Sequence, residues 1–449
     1  MPQKAVFLTA GAAGMYCGSC MHDNALAKAL CASGVDCLLQ PVYTPIRTDG
    51  ESIASEEVFF GGIHIYLLQQ MPWLKVIPRP MRRMLDWPPL IRFATRRTHT
   101  ASVRQMGQLT LSMLQGTSGK QAEEVARLAD WLADEIQPDA VILSNLLIGG
   151  ALPELRKRLP NTRLVVLLQG DDIFLDYLED KDRAAAIELC QGLVPSVDRF
   201  VTYSRFYANK MGELLAIDHD KFVVTPLSID LSPFSSTEAE TERSAEHSDR
   251  FRLGYFARIA PEKGLDRLVD AFVQMAPQHP ELDLHVAGWM SESNQGYLDE
   301  QTQKVTGAGL MDRFHYHGSP SLEGKVDFLR KLDLLSVPTS YQEPKGLFVL
   351  EAMAAGVAVV QPDHGEFGEL IESTGGGIVY PPDNLNALCE SIEQLKQDHQ
   401  RRSSLAQTGQ RNVRDKHSIE AAADAMKQIL FGEGIVADRS ADRSVFHPH

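Results

Sequence analysis

Cysteine is scarce. Six cysteines in 449 residues do not make a disulfide framework, so a reducing cytoplasm is the expected compartment. Long apolar runs are missing too, and nothing in the chain reads as a membrane-spanning helix. The opening Met1-Pro-Gln-Lys-Ala-Val-Phe-Leu-Thr-Ala10 lacks the extended apolar core of a secretory signal and reads better as a first strand. Positive charge is in deficit: 44 Lys and Arg against 59 Asp and Glu leave a formal net charge of −15. That balance argues against nonspecific nucleic-acid binding and requires local cations for any anionic substrate. No regular Gly-x-Gly-x-x-Gly follows the first strand, which weakens a dinucleotide reading. Cys17-Gly-Ser-Cys20 has no second Cys-x-x-Cys beside it. A zinc site would need His22 and remote ligands such as Cys37, and a thioredoxin-like site would need a much smaller fold. Loop-shaping cysteines are the leading reading, with thiol or metal chemistry as the alternatives.

What the chain does contain is alternation. With 44% hydrophobic residues, it is large enough for two packed domains of about 200 residues each. Val6 to Thr9 read as a strand, followed by the glycine loop of Gly11, Gly14 and Gly18 and a helix from about His22 to Ser33. Glycines there let backbone approach a ligand closely, and the helix start favours phosphate. Further on, Ala122 to Ile136 reads as one amphipathic helix, Asp139 to Leu143 as a strand, Ala151 to Arg158 as a helix, and Leu164 to Leu168 as a strand. Such alternation predicts an open parallel sheet with helices on both faces, which binds ligands at the carboxyl ends of its strands. The candidates are Ser144-Asn145, Gln169-Gly170-Asp171-Asp172 and Ser204-Arg205. Asp171 and Asp172 read as a helix cap more readily than as metal ligands.

Between Trp73 and Arg97, seven Lys and Arg are interleaved with large apolar residues. This basic, apolar stretch is a candidate contact for an anionic membrane or a lipid-linked acceptor, which would place the protein at the inner face of the membrane. Its prolines break any long amphipathic helix, so a surface excursion packed on its own domain is the leading reading. The expected organisation is a first domain over 1–234, an acidic linker over 235–250, a second domain over 251–415, and a closing helix and tail over 416–449 that can cross back to the first domain.

The second domain repeats the alternation. Arg252 to Ala257 reads as a strand running into Arg258-Ile-Ala-Pro-Glu-Lys263-Gly264, with a helix over Leu265 to Met275. Two cations between a strand end and a helix start are placed to neutralise a diphosphate. Leu282 to Ala287 and Phe314 to Gly318 read as further strands. The turn at Gly318 can hold a nucleobase through main-chain groups, and His315 and His317 read as packing or rim residues rather than metal ligands. Leu334 to Ser340 reads as a short buried strand. It leads into Tyr341-Gln-Glu-Pro-Lys-Gly-Leu-Phe-Val-Leu-Glu-Ala-Met-Ala-Ala-Gly356, where Glu343 and Glu351 stand eight residues apart across a loop-to-helix junction. The helix is expected to start near Gly346, where Gly346, Leu347 and Phe348 offer unbonded N–H groups. Carboxylates for sugar hydroxyls beside helix donors for phosphate suit a nucleotide sugar.

These residues resemble glycosyltransferase family 4, a retaining family with the GT-B fold of two doubly wound, Rossmann-like α/β domains facing across a cleft. The resemblance rests on the Glu-x7-Glu motif from Glu343 to Glu351, preceded by Arg258 and Lys263, and is strongest from Arg252 to Tyr380. It implies a transferase that moves a sugar from a nucleotide-diphosphate sugar to an acceptor hydroxyl with retention, without an obligatory metal or other cofactor. By the same resemblance, Arg258 and Lys263 hold the donor diphosphate, Glu351 the ribose hydroxyls, and Glu343 faces the transferred sugar. Gly346, Leu347 and Phe348 lend backbone donors, and Gly14 and Gly18 belong to the loop over the donor. Gln169, with Asp171 beside it, stands on the acceptor or sugar side where relatives have His. Pro226-Leu-Ser replaces a common Pro-Asn-Gly, and Lys345 replaces a common aromatic. The implied partners are the nucleotide sugar and a glycan, lipid-linked or small-molecule acceptor. The other classes considered are a binding or regulatory protein without turnover and a sugar-nucleotide epimerase.

Overall fold

The computed structural model describes residues 2–11, 18–44, 52–55, 58, 103–235 and 250–432. Gly14, Cys17, the stretch 73–97, most of the acidic linker and the tail from 433 lie outside the described residues. The chain forms two compact units. One comprises 1–48, 52–225 and 423–449, the other 49–51 and 226–422.

The first unit contains a six-stranded parallel sheet of β1 (Lys4–Thr9), β2 (Asp36–Pro41), β3 (Ala140–Leu143), β4 (Arg163–Leu167), β5 (Arg199–Thr202) and β6 (Phe222–Val224), in the order β2-β1-β3-β4-β5-β6. Its inner strands are continuous apolar runs because helices cover both faces of a parallel sheet. Every residue of β3 is buried. Ala122 to Ile136 is not one α-helix: it is helical over Ala122–Asp130 and then widens into a π-turn over Trp131–Ile136. The widening closes where the Gln137 amide, in a left-handed conformation at φ 51°, donates to the Leu132 carbonyl. This five-residue bond is the π pattern.

The second unit holds β7 (Phe251–Phe256), β8 (Leu282–Ala287), β9 (Phe314–Tyr316), β10 (Leu334–Leu335), β11 (Ala358–Pro362) and β12 (Gly377–Tyr380), all parallel, in the order β12-β11-β10-β7-β8-β9. The strand expected over 334–340 is regular only at Leu334–Leu335, and the Ser336 amide carries its ladder one residue further, to the Gly254 carbonyl at 3.0 Å. Beyond it the Val337 amide turns to the Gln361 side chain at 3.2 Å, and Pro338 has no N–H to give a ladder. The units divide between Thr225 and Pro226. Residues just after that point side with the second unit, where Ile229 bridges to Ser418 and Arg330 donates to the Phe234 carbonyl. The last described helix, Ile419–Phe431, passes back to the first unit from Ala423 onward. There Lys427 donates to the Ser33 carbonyl at 2.9 Å and Arg163 to that of Ile429 at 2.8 Å.

Candidate functional site

In a parallel sheet every carboxyl end lies at one edge, so the loops following adjacent strands meet there. In the second unit these are 257–264 after β7, 336–346 after β10 and 363–366 after β11. They are tied together. The Ser340 amide donates to the Glu262 carbonyl at 3.0 Å, and the Glu366 amide to the Glu343 carbonyl at 2.8 Å. Two glycines permit the close approach. Gly264, at φ +73°, leaves a Cβ only 1.9 Å from the Pro338 carbonyl oxygen, and Gly365, at φ +62°, would place one 2.5 Å from the Glu343 backbone. Glu343 is therefore fixed from both sides.

Its carboxylate sits in a compact cluster. Lys263 Nζ donates to Glu343 Oε2 at 2.6 Å and also to the Tyr341 hydroxyl, which itself donates to the same Oε2 at 2.6 Å. The ammonium lies 4.9 Å from the Tyr341 ring centre and 5.7 Å from that of Phe348, an added electrostatic attraction. Burial pushes the Glu343 carboxyl up, but the Lys263 charge, the bonds from Lys263 and Tyr341, and Lys345 outweigh it; the net shift is below the usual carboxylate value. The Tyr341 phenol moves the other way, raised first by burial and then by the Glu343 charge. Phe348 lies in the helix Leu347–Ala354, whose N-cap is Gly346 at φ +76° with no side-chain cap. A lysine, a helix N-terminus and an ionised carboxylate thus share one neighbourhood, which can exchange the carboxylate partner of Lys263 for a phosphate.

The other expected residues are distributed around it. Arg258 occupies the same loop as Lys263, but its guanidinium pairs with Glu262 and is partly exposed. Glu351 lies inside the helix and accepts from Lys325 Nζ at 2.8 Å. Gly318 follows β9 in a left-handed conformation, with open space where a Cβ would stand, and its carbonyl accepts from the Gly288 amide. Gly18 begins the helix Gly18–Ala32 of the first unit.

Gln169 and Asp171 are buried in the first unit. Gln169 Nε2 donates to Asp23 Oδ1 at 3.0 Å and to the Ser144 carbonyl at 2.8 Å. Asp171 accepts from the amides of Leu146 at 2.7 Å and Gln169 at 3.2 Å. Burial raises its carboxyl from 3.8 to about 7, against the lowering effect of those amides. The helix-cap reading of Asp171 and Asp172 is corrected here. The cap is Gly170 at φ +118°, and the acids occupy the first turn of Asp171–Asp176. Asp172 is committed instead to the Tyr207 hydroxyl at 2.6 Å and to Lys210 at 2.7 Å.

Three residues of these neighbourhoods, Tyr341, Glu366 and Lys325, were not singled out from the sequence. Tyr341 stood in the central stretch without a role. Lys345 is buried beside Glu343, and Glu366, also buried, has a carboxyl raised by burial and then by the Glu343 charge. Its Oε2 has no hydrogen-bond partner. Lys325 is buried on the helix Leu322–Arg330; a lysine among Val326, Phe328 and Leu329 on a buried face was the signal available for it.

Among the described residues one group of three potential metal ligands comes together: Asp283, His285 and His315. None is among the residues expected to hold the donor. No helix of the described residues is long and apolar enough to cross a membrane.

Residues 236–412 match the family model for glycosyl transferases group 1. Among curated proteins, the chain is 32% identical over 201 residues to the lipopolysaccharide core biosynthesis mannosyltransferase LpsB of Rhizobium meliloti, covering 44% of this chain and 56% of that protein. It is 30% identical over 225 residues to the mannosyltransferase LpcC of Rhizobium leguminosarum bv. viciae, covering 49% and 62%. The chain thus spans less than two thirds of the length of these relatives. Among solved structures, Anabaena HepE in complex with UDP superposes with a TM-score of 0.67 at 17% identity, over 95% of this chain and 99% of that one. The protein therefore has the two-domain α/β fold of the GT-B class, and its residues 236–412 are similar to the glycosyl transferases group 1 model.

Proposed function

We propose that the protein is a glycosyltransferase that moves a sugar from a nucleotide-diphosphate sugar to an acceptor hydroxyl with retention at the anomeric carbon. The observation that carries this is the Lys263, Tyr341 and Glu343 cluster beside the start of the helix Leu347–Ala354. In this reading a diphosphate displaces Glu343 from Lys263. Arg258 swings from Glu262 to the same anion, and the amides of Gly346, Leu347 and Phe348 add donors. As the glycosidic bond breaks, negative charge develops on the departing phosphate oxygen. Fixed cations and amides stabilise it without reorganising. Glu343, released but still buried, faces the positive charge that builds on the sugar ring, while Glu351, oriented by Lys325, accepts from ribose hydroxyls. Two cations at the diphosphate make transfer independent of an added metal. In this reading Gly318 lies at the nucleobase. The mannosyltransferase relatives and the UDP complex of HepE make mannose and uridine diphosphate the first donor parts to try.

The test is a thermal-shift and hydrolysis screen against UDP-, GDP- and ADP-linked sugars with chelator present, since slow donor hydrolysis needs no acceptor. Stabilisation with release of one nucleoside diphosphate is expected. Binding without release would favour a protein that holds donors without turnover, and no binding to any donor would remove the proposal.

A further inference from the structure

The histidines of the second sheet form a group apart from the residues proposed for the donor. β8 and β9 run parallel with His285 directly opposite His315. Side chains alternate along a strand, so Asp283 shares a face with His285, and His317 shares that face with His315. The His317 amide donates to the Val286 carbonyl at 2.8 Å and carries the ladder one residue past β9. Four ligand-type side chains therefore stand on one face of two adjacent strands. One ligand atom each from Asp283, His285 and His315 lies within 4.8 Å of the others. The rings of His285 and His315 are 4.6 Å apart between centres, and His285 stacks on His317 at 5.3 Å.

We propose that Asp283, His285 and His315 bind a divalent transition-metal ion of the zinc or nickel class, with His317 and Arg250 orienting the ligands. Two imidazoles and one carboxylate suit such borderline ions and not magnesium or calcium, which prefer all-oxygen sets. The surrounding bonds fit the assignment. His285 Nδ1 and His317 Nε2 are 3.1 Å apart, so one donates and the other accepts. If His285 is the donor, its tautomer leaves Nε2 with a lone pair, and Nε2 is the buried atom with no hydrogen-bond partner. A ligating histidine held through its other ring nitrogen is the usual outer-sphere arrangement. Arg250 plays the corresponding part for Asp283. It donates Nε to Oδ2 at 2.8 Å and Nη2 to Oδ1, which leaves the carboxylate further lone pairs. His317 is steadied in turn by the edge of the Phe328 ring at 5.2 Å. Packing alone would leave the His285 nitrogen buried without a partner, at a cost.

Competition for one equivalent of zinc by a chromophoric chelator tests this on the full chain. Wild type is expected to retain one tight equivalent, and so is a variant with His447 and His449 of the tail replaced by alanine. His285→Ala and His315→Ala are expected to lose it by at least ~100-fold, and His317→Ala to weaken it ~10–100-fold. Equal zinc retention in His285→Ala, His315→Ala and wild type would overturn the assignment, as would loss in the tail variant alone. Imidazole resonances of the wild type keep the test valid if a variant fails to fold. Nickel must broaden those of His285 and His315 first, and their persistence at one equivalent contradicts the site.

Discussion

Glu343 and Asp171 hold corresponding places in the two units. Each follows an interior strand of a six-stranded parallel sheet, at its carboxyl edge, and each is about equally buried, at 5% and 3% exposure. Their neighbours make them opposite in character. Glu343 has an ammonium at 2.6 Å and a phenol at the same distance, and is held below its ordinary value. Asp171 has only backbone amides for donors and Asp172 beside it, and is raised to about 7. Burial at the edge of a doubly wound sheet does not by itself decide whether a carboxylate is charged. The donor that arrives from the next loop decides it.

The largest expected effect sharpens that contrast. Lys263→Ala leaves the Glu343 charge buried without its ammonium, and should lower stability by about 3–5 kcal/mol and donor turnover at least ~100-fold. Urea unfolding and donor hydrolysis measure the two, and a loss below ~1 kcal/mol would mean that Glu343 does not depend on this pair. Next is Lys325→Ala, which deprives Glu351 of its partner; about 2–3 kcal/mol and a ~10-fold weaker nucleotide affinity are expected if Glu351 holds the ribose. Calorimetry of nucleotide binding separates that from a purely structural pair, which would leave affinity unchanged.

Two of the left-handed glycines, Gly264 and Gly318, give a graded pair. Gly264→Ala meets the Pro338 carbonyl as well as backbone strain, whereas Gly318→Ala meets strain alone. About 2–3 kcal/mol against about 1 kcal/mol follows, checked by denaturant midpoints. Equal losses would show that loop contact adds nothing at Gly264.

The finest effect is in titration. Because the folded value of Asp171 lies above its ordinary 3.8, the folded state binds the extra proton. The associated stability is fully present below that value and is lost as pH rises through about 7. Glu343 has the reverse sign: its contribution is present above 4.5 and lost as pH falls through its lowered folded value. Carbon-13 shifts of the two carboxyls should show midpoints on opposite sides of their ordinary values, and a shared midpoint would dissolve the comparison.

Much of the second unit was legible because its buried parallel strands are short apolar runs. Leu265–Met275 and Leu282–Ala287 fall on the bounds read from the sequence. The helix His399–Lys416 was not seen. Only Gly409 and Val413 of it are buried, so no apolar stripe marks it. Within the site, Lys263 and Glu343 were named from two distant motifs, and their direct contact follows from adjacent strands carrying their loops. Lys325 and the pairing of His285 with His315 depend on a partner strand or helix whose register a single sequence does not display. The helix-cap reading of Asp171 failed because Gly170, with its positive φ, had already taken the cap position.

The central claim is that Lys263 exchanges Glu343 for a donor diphosphate. The most direct measurement is the affinity for UDP and GDP of wild type and Lys263→Ala, by calorimetry under conditions where both remain folded. At least a ~100-fold weakening, with release of nucleoside diphosphate from the matching sugar donor only in wild type, is the predicted result. Equal affinities would contradict the exchange and remove Lys263 from the donor site.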